Sequence, residues 1–197
     1  MGCEPLTRLN KLYELNSNSE WMNTGLYRLV CSPDLLTIAY ERIKSKSGNM
    51  TPGTDGETLD GISSSYIAHL SDVLKDESFQ FRPTRRHLIP KKNGKMRPLG
   101  VPSPRDKVVQ EAIRIILEAI YDSPTSPTFT PESHGFREGR STHTAIEHVR
   151  ANWGAPNWVI EGDIKSFFDE IDHHTLIQIL RKRISDERFI SLIWKAL

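Results

Sequence analysis

The residues best suited to chemistry fall in three short stretches. Over residues 81–107 there are nine Lys or Arg against a single acid, Asp106. Within this window, RRHLIPKKNGKMRPLGV centres on Asn93-Gly94, a dipeptide that supplies the positive φ of a tight hairpin turn. Two strands with a basic tip are expected. Lys91, Lys92 and Lys95 flank a turn whose amides can point outward, and Arg97 on the returning strand carries a fork that can hold a phosphate with two bonds. Such a hairpin suits a triphosphate or a nucleic-acid backbone. The plainer alternative is a solvated basic hairpin.

The second stretch is WVIEGDIKSFFDEIDHH. Residues 158–164 read as a short apolar strand ending near Asp163, which would hold that carboxylate at the rim of a sheet. A rigid carboxylate there suits Mg²⁺, a hard ion that prefers oxygen ligands. Phosphoryl transfer by two metals needs at least one further acid on a neighbouring strand. Asp169 falls in the following turn, and Asp172 reads as the N-cap of a helix beginning at His173, so neither is expected to fill that place. The third stretch, SHGFREGRSTHTAIEHV, is a glycine-punctuated loop that brings Arg137 and Arg140 to a helix N-terminus, a setting for sugar-phosphate contact. The histidines do not read as zinc ligands, since His143/His148 and His173/His174 have no cysteine near them. Trp153, Trp158 and Trp194 are expected to pack in the core or at its rim.

The elements that must position these residues follow from periodicity. Leu6, Leu9, Leu12 and Tyr13 share one helical face. A second helix starts with Ser32 as N-cap and Pro33 in the first turn, with Leu35, Leu36, Ala39 and Ile43 inward. The run SKSGNMTPGTDGETLDG reads as an extended surface loop. A third helix carries Tyr66, Ile67, Leu70, Val73 and Leu74. After the hairpin, a long helix from about Pro104 turns Val108, Val109, Ala112, Ile113, Ile116 and Ile120 to one side and ends in a proline-rich loop. Ser141 caps a helix reaching about Val149. Two final helices carry Leu176, Ile177, Leu180 and Ile184, then Phe189, Ile190 and Ile193. Strands interleaved with helices predict an α+β fold.

Bulk properties set the frame. The 197 residues are 37% hydrophobic, enough for an ordinary core, and the formal net charge of +1 makes local charge more informative than the total. Cys3 and Cys31 supply neither a disulfide framework nor a metal cluster, which fits a reducing compartment. No apolar run approaches the length of about 18 residues needed to span a bilayer, and the N-terminus has neither a secretory nor a transit pattern. A soluble protein made where it works is expected.

In order and in register, TPGTDGETLDG, FRPTRRHLIPKKNGKMRPLGVPSPRDKVVQEAIRIILEAIY, SHGFREGRSTHTAI and WVIEGDIKSFFDEIDHHTL resemble reverse transcriptases of the group II intron maturase family. The resemblance runs from about Asn23 onward. It implies a right-hand polymerase: a helical N-terminal extension of the fingers over residues 1–80, fingers with the basic hairpin and arginine loop over 81–150, and the start of the palm over 151–197. Asp163 would be a catalytic Mg²⁺ ligand, Ile164 would offer its backbone carbonyl to a metal, and Phe168 would be a gate under the incoming sugar. Lys91 and Arg97 would contact the triphosphate. Arg85, Arg86, Lys92, Lys95, Arg137 and Arg140, with the loop around Gly53 and Gly56, would lie along template or intron RNA. Glu138 departs from the family, which usually has proline after GFR.

The family's Tyr-x-Asp-Asp motif does not occur in these 197 residues, which contain no Asp-Asp pair. The resemblance therefore implies RNA-directed DNA synthesis and intron RNA binding that need further palm carboxylates, with Mg²⁺ bound only when a second polypeptide supplies them. RNA, a DNA primer, dNTP and that polypeptide are the expected partners, with no membrane, in an organelle matrix or bacterial cytoplasm. The alternative is a non-enzymatic RNA-binding or structural remnant in a ribonucleoprotein.

Overall fold

The computed structural model describes residues 4–90, 94–123, 128–154 and 156–197. Its longest helix organises the rest. This helix, α5 (Pro104–Tyr121), follows α1 (Glu4–Leu15), α2 (Leu26–Val30), α3 (Pro33–Ile43), α4 (Ser64–Lys75), β1 (Arg85–Pro90) and β2 (Met96–Val101), and precedes α6 (Thr142–Asn152), α7 (Phe167–Glu170), α8 (His173–Arg181) and α9 (Glu187–Trp194). Pro104 opens α5, where its fixed φ suits the first turn, and Asp106 lies where an acid favours the helix dipole. Val108, Val109, Ala112, Ile113, Ile116 and Ile120 are buried as their spacing predicts. Ile115 and Ala119 are buried too, because α1, α2 and α3 together cover more than one stripe of α5.

One ion pair joins α3 to α5, and two more lie within α5, one of them sharing its acid. Arg42 reaches Glu118 at 3.3 Å, while Arg114 bonds Glu111 at 2.8 Å and Glu118 at 3.1 Å. α2 went unread in the sequence, since five residues are too few to display a period. It is nevertheless well buried, and the Tyr27 hydroxyl donates to the Leu74 carbonyl at 2.6 Å. Ser32 stands at the N-cap of α3 in extended backbone but makes no side-chain cap, whereas Ser141 closes a capping box at α6 with Thr144. Leu9 is buried and Leu12 packs on the core, while the side chain of Leu6 lies outside the described residues.

Segments far apart in sequence are clasped together. The Asn23 N–H donates to the Arg183 carbonyl at 2.9 Å, the Ser185 N–H returns to the Asn23 carbonyl at 3.0 Å, and Asp186 accepts from the Tyr27 N–H at 2.9 Å. Asn16 and Asn23 pair their buried amides, and Arg183 donates to the Asn16 side chain at 2.8 Å. These bonds satisfy polar groups that would otherwise be costly to bury, and they seat α9, with α8 packed against it, on α2.

Three expectations are corrected. Residues 158–164 form no strand; 156–164 are irregular and exposed, with Trp158 90% and Ile160 98% accessible. An extended segment becomes a strand only beside another, and the sheet among the described residues is the β1–β2 pair alone. Of the tryptophans expected in the core or at its rim, Trp153 is 52% accessible, while Trp194, at 43%, sits at the rim with its ring against His173 and His174. The loop over residues 45–61 is also more than a surface loop. Gly53 and Leu59 are buried, and the Gly53 backbone lies so close to Ser103 that a Cβ there would stand 2.6 Å from the Ser103 Cα.

Candidate nucleic-acid interface

The hairpin forms as read, with β1 and β2 antiparallel and Ile89 opposite Arg97. Gly94 has φ +78°, the value its place in the turn requires. Lys91 and Lys92 lie outside the described residues. Directly paired residues share a face of an antiparallel ribbon, so Arg85, His87, Ile89, Arg97, Leu99 and Val101 line one side, and Arg86, Leu88, Met96 and Pro98 the other. Arg85 and Arg97 are thus about 14 Å apart along one face, too far to grip a single phosphate but suited to following a backbone. Arg86, Lys95 and Arg97 are exposed; Arg85 is half-buried, with its Nε shielded and without a hydrogen bond.

The hairpin's base is held firmly. Arg82 pairs with Asp55 at 2.7 Å, its backbone N–H donates to buried Asp106 at 3.0 Å, and Thr54 donates to the Pro83 carbonyl at 3.1 Å. The TPGTDG turn therefore braces the hairpin against the start of α5. Its own shape comes from Asp55, which accepts from the Glu57 N–H at 3.1 Å. Arg105 completes the base by donating to the Gln80 carbonyl at 2.7 Å and stacking its guanidinium 4.5 Å from the Phe79 ring centre.

Arg137 and Arg140 occupy a different position from the one their sequence suggests. Arg137 turns inward. Its Nε and Nη2 donate to the Asp122 carboxylate at 2.6–3.1 Å, and Nη1 donates to the Thr130 and Ser133 carbonyls at 3.1 and 2.9 Å. The guanidinium also lies over Phe129 at 5.4 Å. It pins the loop to the end of α5 and does not present its fork outward. Arg140, half-buried, donates to the Pro131 and Ser133 carbonyls. Asp122, the partner that decides the orientation of Arg137, sits fifteen residues away and gave no local signal.

His134 is a second residue the sequence reading passed over. Its Nδ1 is 2.9 Å from the Thr144 hydroxyl, tying the loop to α6, and its ring stands 5.6 Å from His148. Loss of solvent, then the nearby Arg140, His148 and Arg137 charges, hold it below its ordinary value, so it favours the neutral ring. Among the described residues no group of three or more His, Cys, Asp or Glu could hold a metal.

Asp163 lies in the exposed irregular segment, with Ile164 69% and Phe168 79% accessible beside it. Ser166, the N-cap of α7, takes a left-handed φ of 51°, and α7 replaces part of the turn expected at Asp169. Asp172 is the N-cap it reads as, accepting from the Thr175 N–H at 2.5 Å, a bond that holds its carboxyl below the usual range. One carboxylate, Asp163, does not make a Mg²⁺ site, because such an ion needs several oxygen ligands. The described residues alone do not fit the metal.

Apolar side chains are exposed both in this segment and on the helix that precedes it in sequence. On α6, Ile146, Val149 and Trp153 follow helical spacing yet are 53%, 40% and 52% accessible, and none of that helix is buried. Trp158, Ile160, Ile164 and Phe168 are exposed as well, and large apolar side chains left open in such number are normally covered.

Comparison with known proteins agrees with these features. The family described as reverse transcriptase (RNA-dependent DNA polymerase) matches residues 89–197, more than half of the chain. A putative COX1/OXI3 intron 1 protein of Saccharomyces cerevisiae is 48% identical over 98% of this chain and 22% of its own length. The group II intron-encoded protein LtrA of Lactococcus lactis subsp. cremoris is 43% identical over 98% of this chain and 31% of its own. Protein YkfC of Escherichia coli is 40% identical over 87% of this chain and 46% of its own. The chain thus spans less than half the length of these relatives. Among the described residues no helix is long and apolar enough to cross a membrane. The chain belongs to the reverse transcriptase (RNA-dependent DNA polymerase) family, among those encoded by group II introns.

Proposed function

We propose that these residues are the fingers and first palm segment of an RNA-directed DNA polymerase and maturase acting on group II intron RNA. The observation that carries this reading is the apolar surface left exposed on α6 and over residues 158–168, on either side of Asp163 in sequence. In this reading further palm strands cover that surface, order the segment as a strand and bring other carboxylates beside Asp163. Divalent metal chemistry then belongs to the completed site, with the Ile164 carbonyl next to it and Phe168 beneath the incoming sugar.

The hairpin serves RNA and triphosphate through Arg85, Arg86, Lys95 and Arg97, together with Lys91 and Lys92, which follow β1 in sequence. Arg137 acts as a positioning residue for the loop that carries Arg140. The relatives come from yeasts, bacteria and a plant, so an organelle matrix or a bacterial cytoplasm is the compartment this reading assigns. A non-enzymatic RNA-binding role is the second reading; the absence of a second catalytic motif from these residues favours it for the segment in isolation.

Primer extension on an RNA template tests the first reading. The 197-residue chain alone is expected to bind RNA in a salt-sensitive manner and to extend no primer. Extension by this chain alone would overturn the assignment of Asp163 as one member of a larger carboxylate set.

A further inference from the structure

Three open clefts run end to end along α5. The first, of about 290 Å³, lies between the 46–49 turn and Lys107, Glu111 and Arg114. The second, of about 370 Å³, shares Lys46 and Arg114 with it and adds Arg42 and Phe136. The third, also about 370 Å³, shares Arg137 and Glu138 with the second and extends to Tyr13, Asp122 and Arg140. Together they make one groove whose floor follows α5 from Lys107 to the cap at Asp122, about 23 Å at the helical rise.

The charges in this groove are layered. Six cations line it: Arg42, Lys46, Lys107, Arg114, Arg137 and Arg140. Of the four acids, Glu111, Glu118 and Asp122 are largely buried and already paired with arginines, leaving Glu138 exposed on the rim. Among the described residues the exposed Lys46, half-buried Lys107 and Arg140 pair with no carboxylate, Lys107 reaching the Thr51 carbonyl at 3.5 Å and Arg140 the Pro131 and Ser133 carbonyls.

Phe136 stands over the middle cleft with its ring fully accessible, at 101%. Its backbone is left-handed, with φ 58°, a conformation that a bulky side chain rarely adopts. The loop below it is held by the Arg137–Asp122 pair, which restrains the backbone that carries the ring. An exposed aromatic on a restrained backbone beside a basic groove is the arrangement that stacks an unpaired base while cations follow the backbone.

We propose that the α5 groove, from Lys107 past Phe136 to Arg140, binds a single-stranded stretch of RNA, with Phe136 stacking on one base and Lys46 and Lys107 contacting phosphates. This deepens the RNA-binding reading and rests on it, but assigns a surface separate from the hairpin. The groove's length accommodates about seven nucleotides at a stacked rise of about 3.4 Å. A paired duplex offers Phe136 no free base face.

The test is fluorescence anisotropy of the 197-residue chain with a labelled single-stranded RNA 10-mer and with a duplex of the same sequence, across a salt series. Phe136→Ala is expected to weaken single-strand binding about tenfold while sparing the duplex. Lys46→Ala with Lys107→Ala is expected to lower the salt slope by about 1.4, or about 0.7 for each phosphate contact. Circular dichroism of each variant separates loss of binding from loss of fold. If the unmodified chain binds RNA and these folded variants bind it equally well, while Arg86→Ala with Arg97→Ala abolishes binding, the groove assignment is overturned and the RNA reading stands. If the unmodified chain binds no RNA, both fall. Equal losses on duplex and single strand also overturn it.

Discussion

Replacing Asp122 by asparagine separates two roles for Arg137 that predict opposite results. The carboxylate takes three contacts from the guanidinium at 2.6–3.1 Å, and the two side chains are 9% and 14% accessible. Exposed pairs contribute under about 1 kcal/mol and fully buried ones cost about 3–5 kcal/mol to break. This pair is shielded but sits in a surface loop, so the screened value is about 2 kcal/mol, between those limits. That corresponds to about a 30-fold rise in opening of the loop over residues 128–140, since each factor of ten is worth about 1.4 kcal/mol. Hydrogen exchange should show the loss of protection in peptides covering that loop for both Asp122→Asn and Arg137→Lys, the latter because an ammonium cannot reproduce the fork. RNA affinity should fall in both variants. If Arg137 instead gripped phosphate directly, removing its acid partner would free it and RNA would bind more tightly. Tighter binding by Asp122→Asn, or unchanged loop protection, refutes the positioning role.

Gly53→Ala places a Cβ 2.6 Å from the Ser103 Cα and 3.0 Å from the Asp55 carboxylate. Overpacking of that kind costs about 2 kcal/mol, a fall of about 6 °C in Tm for a chain of this size; an unchanged Tm contradicts the close approach. Burial pushes the Cys31 thiol from 9.0 up to about 11 and the Tyr27 phenol from 10.0 up to about 12. The folded chain then keeps protons that the unfolded chain has released, so stability is flat below about pH 9 and falls as pH rises toward 12. Urea titrations should show Cys31→Ala with Tyr27→Phe flattening that slope, and an unaltered slope in the double variant rules out these two groups as its source.

What was legible in the sequence was whatever is encoded locally. The i, i+3, i+4 spacing from Val108 to Ile120 marked α5, Asn93-Gly94 marked the hairpin, and Asp172 and Ser141 marked helix starts. What was not legible depends on partners far along the chain. Arg137 looked like an outward contact because Asp122, its counter-charge, lies beyond a proline-rich stretch. Gly53 looked like one turn glycine among several until Ser103 was found against it. The apolar run at 158–164 carried a strand's composition, but a strand needs a ladder, and composition cannot supply one. The same reasoning explains why Trp158 is exposed although its neighbours are valine and isoleucine. Phe136 was read only as part of a loop motif, since neither its positive φ nor its accessibility has a signature in residue types.

In the function proposed above, Asp163 is a catalytic carboxylate of a polymerase whose other acids lie outside these residues. A chimera tests it most directly: this chain continued by the remaining sequence of the Lactococcus lactis relative, which is 43% identical over the shared region. RNA-templated primer extension by that chimera should be lost, by about a thousandfold or more, when Asp163 is replaced by asparagine, with RNA affinity unchanged. Extension that persists in an active chimera carrying Asp163→Asn would contradict the claim.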